Sequence, residues 1–297
     1  MNRLISYIAI AFIHFLKWIP FWSLHIKSNA IAFLLHSVIS YRKKVVKSNL
    51  QRCFPEKSSK EKQQITKKFY KNIADILLES FKGLFLSKKD FSKCFRILNP
   101  ELLDKYFSDN QSVICLAAHY ANWEWGVQAV DMQIKHQAIS IYKKLNNPYL
   151  EKWFLKKRSR LGMQLFEMAE TREAFAFAQK NPSAVILAAD QHPSDEHACI
   201  LANFFGEKIG FLHGPEAYVS KTKWPVVYFD IQRVKRSYYT LEIIPLSEKG
   251  EELKKGELTQ RYANQIEKIL RKKPEDWLWS HKRWKTDYSF RSDYYES

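Results

Sequence analysis

Glycine is scarce in this 297-residue chain, with 8 in all. Neither G-x-G-x-x-G nor G-x-x-x-x-G-K-[ST] occurs, which excludes the glycine-built phosphate cradles of nucleotide-binding folds. Cysteine is scarce too. Cys53, Cys94, Cys115 and Cys199 stand far apart, in neither a disulfide framework nor a C-x-x-C metal pattern, which fits a reducing compartment. Acid is in deficit: 31 Asp+Glu face 48 Lys+Arg, a net charge of +17. No internal repeat, low-complexity tract or clear linker interrupts the chain. What is present is apolar and aromatic, 46% and 15% of residues. Such a chain buries a core rather than staying disordered, and its length suits one large domain or two small ones. Excess positive charge beside many aromatics points to nucleic acid or to an anionic membrane surface.

The first segment favours the membrane. Leu4 to Leu16 is apolar apart from Ser6 and His14, and Lys17, Trp18, Pro20, Phe21 and Trp22 follow. The run reaches the roughly 20 residues of a spanning helix only by including Lys17 and Pro20. No small-residue cleavage site follows it, so a signal peptide is not expected. A second run, Ala30 to Ile39, is too short to span and reads as an interfacial or core helix. Arg42, Lys43, Lys44, Lys47 and Arg52 come next, as on the cytoplasmic flank of an apolar segment. Residues 1–40 are therefore expected to form an apolar helical membrane anchor that spans or lies on the bilayer. Residues 41–297 are expected to form one domain.

The body reads as α/β. Ile65, Phe69, Ile73, Ile76 and Leu77 recur at helical spacing. Short apolar runs then appear at 113–118, 138–142, 184–189, 225–231 and 239–244, separated by stretches of helical length such as 149–161 and 171–179. That alternation predicts a mixed, largely parallel central sheet flanked by helices. A charged helix over 253–273 ends at Pro274.

One run ends on chemistry. Val113–Ala118 leads directly into His119, and Glu124 lies five positions on. Open α/β sheets place ligand sites at the carboxyl ends of strands, where His119 would sit. In a continuous helix the two side chains would not meet; in a strand–loop–helix turn starting at Asn122 or Trp123 they can. A carboxylate beside an imidazole fixes its tautomer and frees the other ring nitrogen to take a proton. No G-x-S-x-G elbow or cysteine nucleophile motif is present, so His119 would activate an incoming acceptor rather than a protein nucleophile.

The motif His119-Tyr-Ala-Asn-Trp-Glu124 fits His-X4-Asp/Glu and resembles the signature of the glycerolipid and lysophospholipid acyltransferases. Further blocks resemble the lipid A biosynthesis (Kdo-dependent lauroyl/myristoyl) acyltransferase family over most of the chain. These are Asn49-Leu50…Phe54-Pro55, Tyr142-Lys143…Asn147-Pro148 with Arg158, Arg160 and Gly162, Asp190-Gln191, Phe204-Phe205-Gly206…Gly214-Pro215, and Trp277-x-Trp279-x-His281-x-Arg283-Trp284-Lys285. Lys143 stands where arginine is common, Glu216 where alanine is common, and His192 after Asp190-Gln191 is atypical.

The resemblance implies a glycerolipid-acyltransferase-like fold and acyl transfer from acyl carrier protein or coenzyme A to an anionic lipid hydroxyl. His119 would be the base and Glu124 its orienting partner. Arg160 or Lys143 would meet the oxyanion; such basic residues could equally hold donor or acceptor phosphate. Asp190 and Gln191 would shape the acceptor site, against a helix-cap reading. Gly214 and Pro215 would bring backbone near substrate, against an ordinary turn. Asn122, Asn147 and Arg158 complete the substrate-binding expectation. His281 and Arg283 read as structural or membrane-edge residues. His192 and His197 with Asp190 match no zinc spacing, so no metal and no bound cofactor are expected. The expected setting is the cytoplasmic face of a bacterial inner membrane, as a monomer. Competing readings are a lysophospholipid or amino-acid lipid acceptor, and a basic nucleic-acid-binding protein. The last lacks any RNP-type motif.

Overall fold

A computed structural model describes residues 2–288; the tail beyond Tyr288 lies outside the described residues. The chain opens with helices α1 (Asn2–Phe15), α2 (Phe21–Phe33), α3 (Lys43–Cys53) and α4 (Ser59–Gly83). Ser58 caps α4: its hydroxyl accepts from the Glu61 amide, and the Glu61 carboxylate accepts from the Ser58 amide. Then come α5 (Lys88–Cys94), β1 (Phe95–Ile97), α6 (Glu101–Ser108), β2 (Val113–Ala117), α7 (Trp123–Ala129), β3 (Gln137–Tyr142), α8 (Pro148–Arg158) and β4 (Gln164–Glu167). The rest is α9 (Thr171–Lys180), β5 (Ser183–Ala188), β6 (Cys199–Phe204), β7 (Glu207–Leu212), α10 (Gly214–Thr222), β8 (Val226–Lys235), β9 (Tyr238–Ser247) and α11 (Glu257–Lys272).

Seven strands form one sheet in the order β1-β9-β8-β2-β5-β3-β4, parallel throughout except for the antiparallel pair β8–β9. Every residue of the central strand β2 is buried, as a strand covered on both faces requires. The five strands expected from apolar runs are all present. The β6–β7 hairpin was not anticipated. Its turn is Phe205-Gly206, with φ of 51° and 79°, the left-handed pair of a tight hairpin. The F-F-G block is that turn.

The expected apolar membrane anchor is corrected. Among the described residues no helix is long and apolar enough to cross a membrane. α1 has 14 residues, about 21 Å of helix against a hydrocarbon core of about 30 Å. It gives way to a short 3₁₀ turn, Leu16–Trp18, before Pro20 starts α2. The physical reason lies in α4. The ammonium of Lys82 donates to the carbonyls of Leu16 (3.3 Å), Lys17 (2.6 Å) and Ile19 (2.8 Å). These are carbonyls that a continuous helix would have satisfied internally. The N-terminal segment is thus tied to the body. Asn147 donates to Ser6 on α1, and Ser28 on α2 donates to buried Asp75 on α4.

Candidate active site

The site grows from strand register. β2 and β5 are parallel neighbours with Ala117 opposite Ala188. Two residues past each partner stand His119 and Asp190, at the same carboxyl edge of the sheet. Asp190 is buried and takes three hydrogen bonds. The His119 amide donates to Oδ2 at 2.9 Å, the His119 ring donates from Nδ1 to Oδ1 at 2.6 Å, and the Trp277 indole donates to Oδ2 at 2.8 Å. This holds the proton on Nδ1 and leaves Nε2 as the ring nitrogen for proton exchange.

Burial works to lower the His119 pKa, but the charge and hydrogen bond of Asp190, with Glu124 behind them, raise it above its ordinary value. Burial works to raise the Asp190 carboxyl, and the His119 and Trp277 donors hold it below the usual carboxylate range. The two shifts agree: the pair favours imidazolium beside carboxylate.

The turn after His119 is held from three sides. Ala121 adopts φ 50°, which costs a non-glycine residue about 1–2 kcal/mol, and its amide donates to the Asp276 carbonyl at 2.8 Å. Leu278 donates its amide to the His119 carbonyl, and Tyr120 bridges Trp277. Asn122 caps α7, accepting from the Trp125 amide, while its Nδ2 donates to buried Glu79 on α4. Glu79 also accepts from Ser237 and Tyr239.

Glu124 opens α7 but lies on Arg158, at 3.2 Å, rather than in a hydrogen bond with the imidazole. Asp190, expected to shape the acceptor site, is the carboxylate on the ring. Sequence reasoning placed it on the correct sheet edge and did not pair it with His119. Trp277 was also missed as a donor, although the Trp-x-Trp block marked it.

Two cavities meet here. An inner one of about 330 Å³ runs from His119 to Val130, Phe229, Ile231 and Leu241. An outer one of about 500 Å³, largely apolar, is walled by Ile73, Leu77, Phe81 and Phe154. Trp123, Glu124, Tyr142, Lys143 and Arg158 line both. Arg158 Nε is buried with no hydrogen-bond partner, a donor available to a ligand.

The other expected residues are placed elsewhere. Arg160 donates to the carbonyls of Gly83 and Leu86 at the end of α4. Asn147 caps α8, accepting from the amides of Tyr149 and Leu150. Gly214 and Pro215 form the first turn of α10. Gln191 is half-buried in the turn after Asp190. Two departures from the family pattern have structural partners. Glu216 accepts from the Gly256 and Thr259 amides at the start of α11, and the His192 amide donates to His281 Nε2. Burial pushes His281 down to about 4, so it stays neutral. Arg283 is buried with its guanidinium over the Phe211 ring, and burial lowers it to about 10. All four cysteines are buried; burial raises the thiols of Cys53, Cys94 and Cys115, so none of these three is poised as a thiolate.

Comparison with known proteins gives the family. The family described as "Bacterial lipid A biosynthesis acyltransferase" matches residues 1–286. The chain is 22% identical to the lipid A biosynthesis palmitoleoyltransferase of Escherichia coli strain K12, over 90% of this chain and 87% of that protein. It is 23% identical to the lipid A biosynthesis lauroyltransferase of the same strain, over 82% and 79%. It is 19% identical to a lipid A biosynthesis acyltransferase of Haemophilus influenzae, over 92% and 85%. With its family matched from end to end of the sheet and through the closing tryptophan block, the chain belongs to the bacterial lipid A biosynthesis acyltransferases.

Proposed function

We propose that this lipid A acyltransferase moves a fatty acyl chain from a thioester, carried by acyl carrier protein or coenzyme A, to a hydroxyl of a lipid A precursor, with His119 as general base. The observation that carries this reading is the His119–Asp190 pair, with His119 on the wall of an inner cavity that shares Trp123, Lys143 and Arg158 with a larger, largely apolar one. Nε2 accepts the hydroxyl proton as the oxygen attacks the thioester carbonyl. The tetrahedral intermediate places negative charge on the carbonyl oxygen. Arg158, with its unpartnered Nε, meets that charge, and Lys143 adds to the field. Collapse breaks the C–S bond; the leaving thiolate takes the proton back from the imidazolium. Asp190 keeps its negative charge throughout and steadies the imidazolium. Glu124 positions Arg158.

The setting we infer is a membrane surface, at the cytoplasmic face of the bacterial inner membrane. Leu4, Ile8, Phe12, Phe15, Trp18 and Trp22 on the N-terminal helices are exposed, and the net charge of +17 attracts anionic headgroups. This is contact with a surface, not a span. The test is transfer of labelled acyl chains from defined carrier-protein and coenzyme A thioesters to a lipid A precursor. His119→Ala is expected to lower the rate at least about a hundredfold with an unchanged circular dichroism spectrum. A folded His119→Ala protein with wild-type rate would sink the assignment.

A further inference from the structure

We propose that the cleft between α3 and α4 is a binding site for the phosphate headgroup of an anionic lipid, built by Lys43, Lys47, Lys60 and Lys62. The cleft encloses about 490 Å³, and no carboxylate lines it. His36, Gln51, Gln63 and Thr66 supply further polar atoms to its wall. The neighbouring carboxylate of Glu61 is taken up by Ser58 and does not line the cleft.

The arrangement is unfavourable without an anion. Lys43 and Lys47 are four apart on α3, a like-charge spacing that destabilises a helix. Lys60 and Lys62 approach from the first turn of α4. Lys62 donates to the Gln51 carboxamide at 2.9 Å, and Lys43 reaches only the His36 carbonyl at 3.4 Å. Neither partner neutralises charge. Burial lowers the His36 pKa, and the fields of Lys43 and Lys67 lower it further, so the imidazole does not add to the charge. A phosphate group, with several acceptor oxygens and negative charge, satisfies several ammonium groups at once.

The surroundings favour a lipid over a soluble phosphate. The segment that carries His36 also exposes Phe33, Leu34, Val38 and Ile39, at 63, 46, 63 and 64%. A basic cleft beside an exposed apolar strip matches the boundary between headgroup and acyl chain. The cleft stands apart from His119. It neighbours the outer cavity without sharing a lining residue with it: Thr66 lines the cleft and Ile73 the outer cavity, about 10 Å further along α4. Headgroup binding here does not depend on acyl transfer, and its failure would leave the catalytic reading untouched.

The experiment is co-sedimentation of the whole chain with phosphatidylcholine vesicles, with and without phosphatidic acid, at physiological ionic strength. A Lys43→Gln/Lys47→Gln/Lys60→Gln/Lys62→Gln variant is compared with a charge-matched Lys89→Gln/Lys180→Gln/Lys221→Gln/Lys249→Gln variant. Matching circular dichroism and melting curves establish that both fold. The cleft variant is expected to bind phosphatidic acid vesicles on the order of a hundredfold more weakly, and the charge-matched variant within roughly threefold of the parent. Pyrophosphate is expected to displace the vesicles where sodium sulfate of equal ionic strength does not. Equal losses in both variants, or no loss in the cleft variant, would overturn the proposal. So would pyrophosphate binding at the cleft without vesicle binding, which assigns a soluble ligand. Loss of an acidic carrier protein with vesicle binding intact assigns a protein partner and overturns it too.

Discussion

At the scale of single residues the proposed chemistry turns on Asp190, whose carboxylate accepts from the His119 ring and amide. Its charge raises the His119 pKa, so the base is fully neutral only above the ordinary imidazole value of 6.5. The rate is therefore expected to climb with pH through an apparent pKa above 6.5. Asp190→Asn removes the charge that stabilises imidazolium, so this limb should move toward acid while the maximal rate falls by about 10³–10⁴. Glu124→Gln leaves the Asp190 contact intact and should move the limb less. A pH profile of kcat/KM in the three proteins decides the matter; a larger displacement in Glu124→Gln would restore Glu124 as the partner of the imidazole. Linkage gives a second readout. A folded-state pKa raised above 6.5 contributes stability that is complete below 6.5 and lost as pH rises through the folded value. The loss of melting temperature in Asp190→Asn should accordingly be larger at pH 6 than at pH 9.

At the scale of elements, α4 is the spine. One end carries the lysine cleft, its middle holds Asp75 and Glu79, and its far end holds Lys82. Asp75 joins Ser28, Arg233 and Arg236, tying α2 and the β8–β9 turn to the helix. Lys82→Met should strand the carbonyls of Lys17 and Ile19, leaving that of Leu16 to the Ile19 amide, and cost about 2 kcal/mol or more, read as a clear fall in melting temperature. Lys82→Arg should recover much of it, because a guanidinium can donate to several carbonyls. Glu79 reaches the catalytic turn through Asn122, so Glu79→Gln should lower kcat more than it changes KM. Equal kcat in a folded Glu79→Gln protein would show that the turn holds without it. Gly83 explains why α4 and α7 pack so closely. A Cβ there would stand 2.5 Å from the Trp125 indole nitrogen, so Gly83→Ala should destabilise the fold and is checked by thermal melting.

For the whole molecule the large terms are charge and exposed apolar surface. Binding to anionic vesicles should weaken steeply between low and high salt, since the +17 is spread over an exposed surface. Trp18→Ser/Trp22→Ser should weaken it at every salt concentration. Vesicle flotation with a salt series separates the two; salt-independent binding would show that apolar contact alone carries it. Much of the architecture was legible in the chain. Runs such as 113–118 and 184–189 are too apolar for any place but a covered parallel sheet, and β2 and β5 are there. β1 and β4, at 3 and 4 residues, are too short to leave a pattern. The N-terminal helices misled for a different reason. Their composition is that of a membrane segment, but Pro20 breaks the helix and the carbonyls freed at 16–19 are taken up by Lys82, more than sixty residues away.

By itself, then, the sequence determined five strands of the sheet and the place of His119 at the end of a buried one, because burial is written in local periodicity. It also determined the family, because several short blocks recur in order. Only the tertiary structure decided which carboxylate holds the imidazole. Asp190 meets His119 because Ala117 and Ala188 are paired in register across two strands, and Glu124 is drawn to Arg158 instead. Register and ion pairing are set between distant segments, by which surfaces are buried together, and no local stretch of sequence contains them.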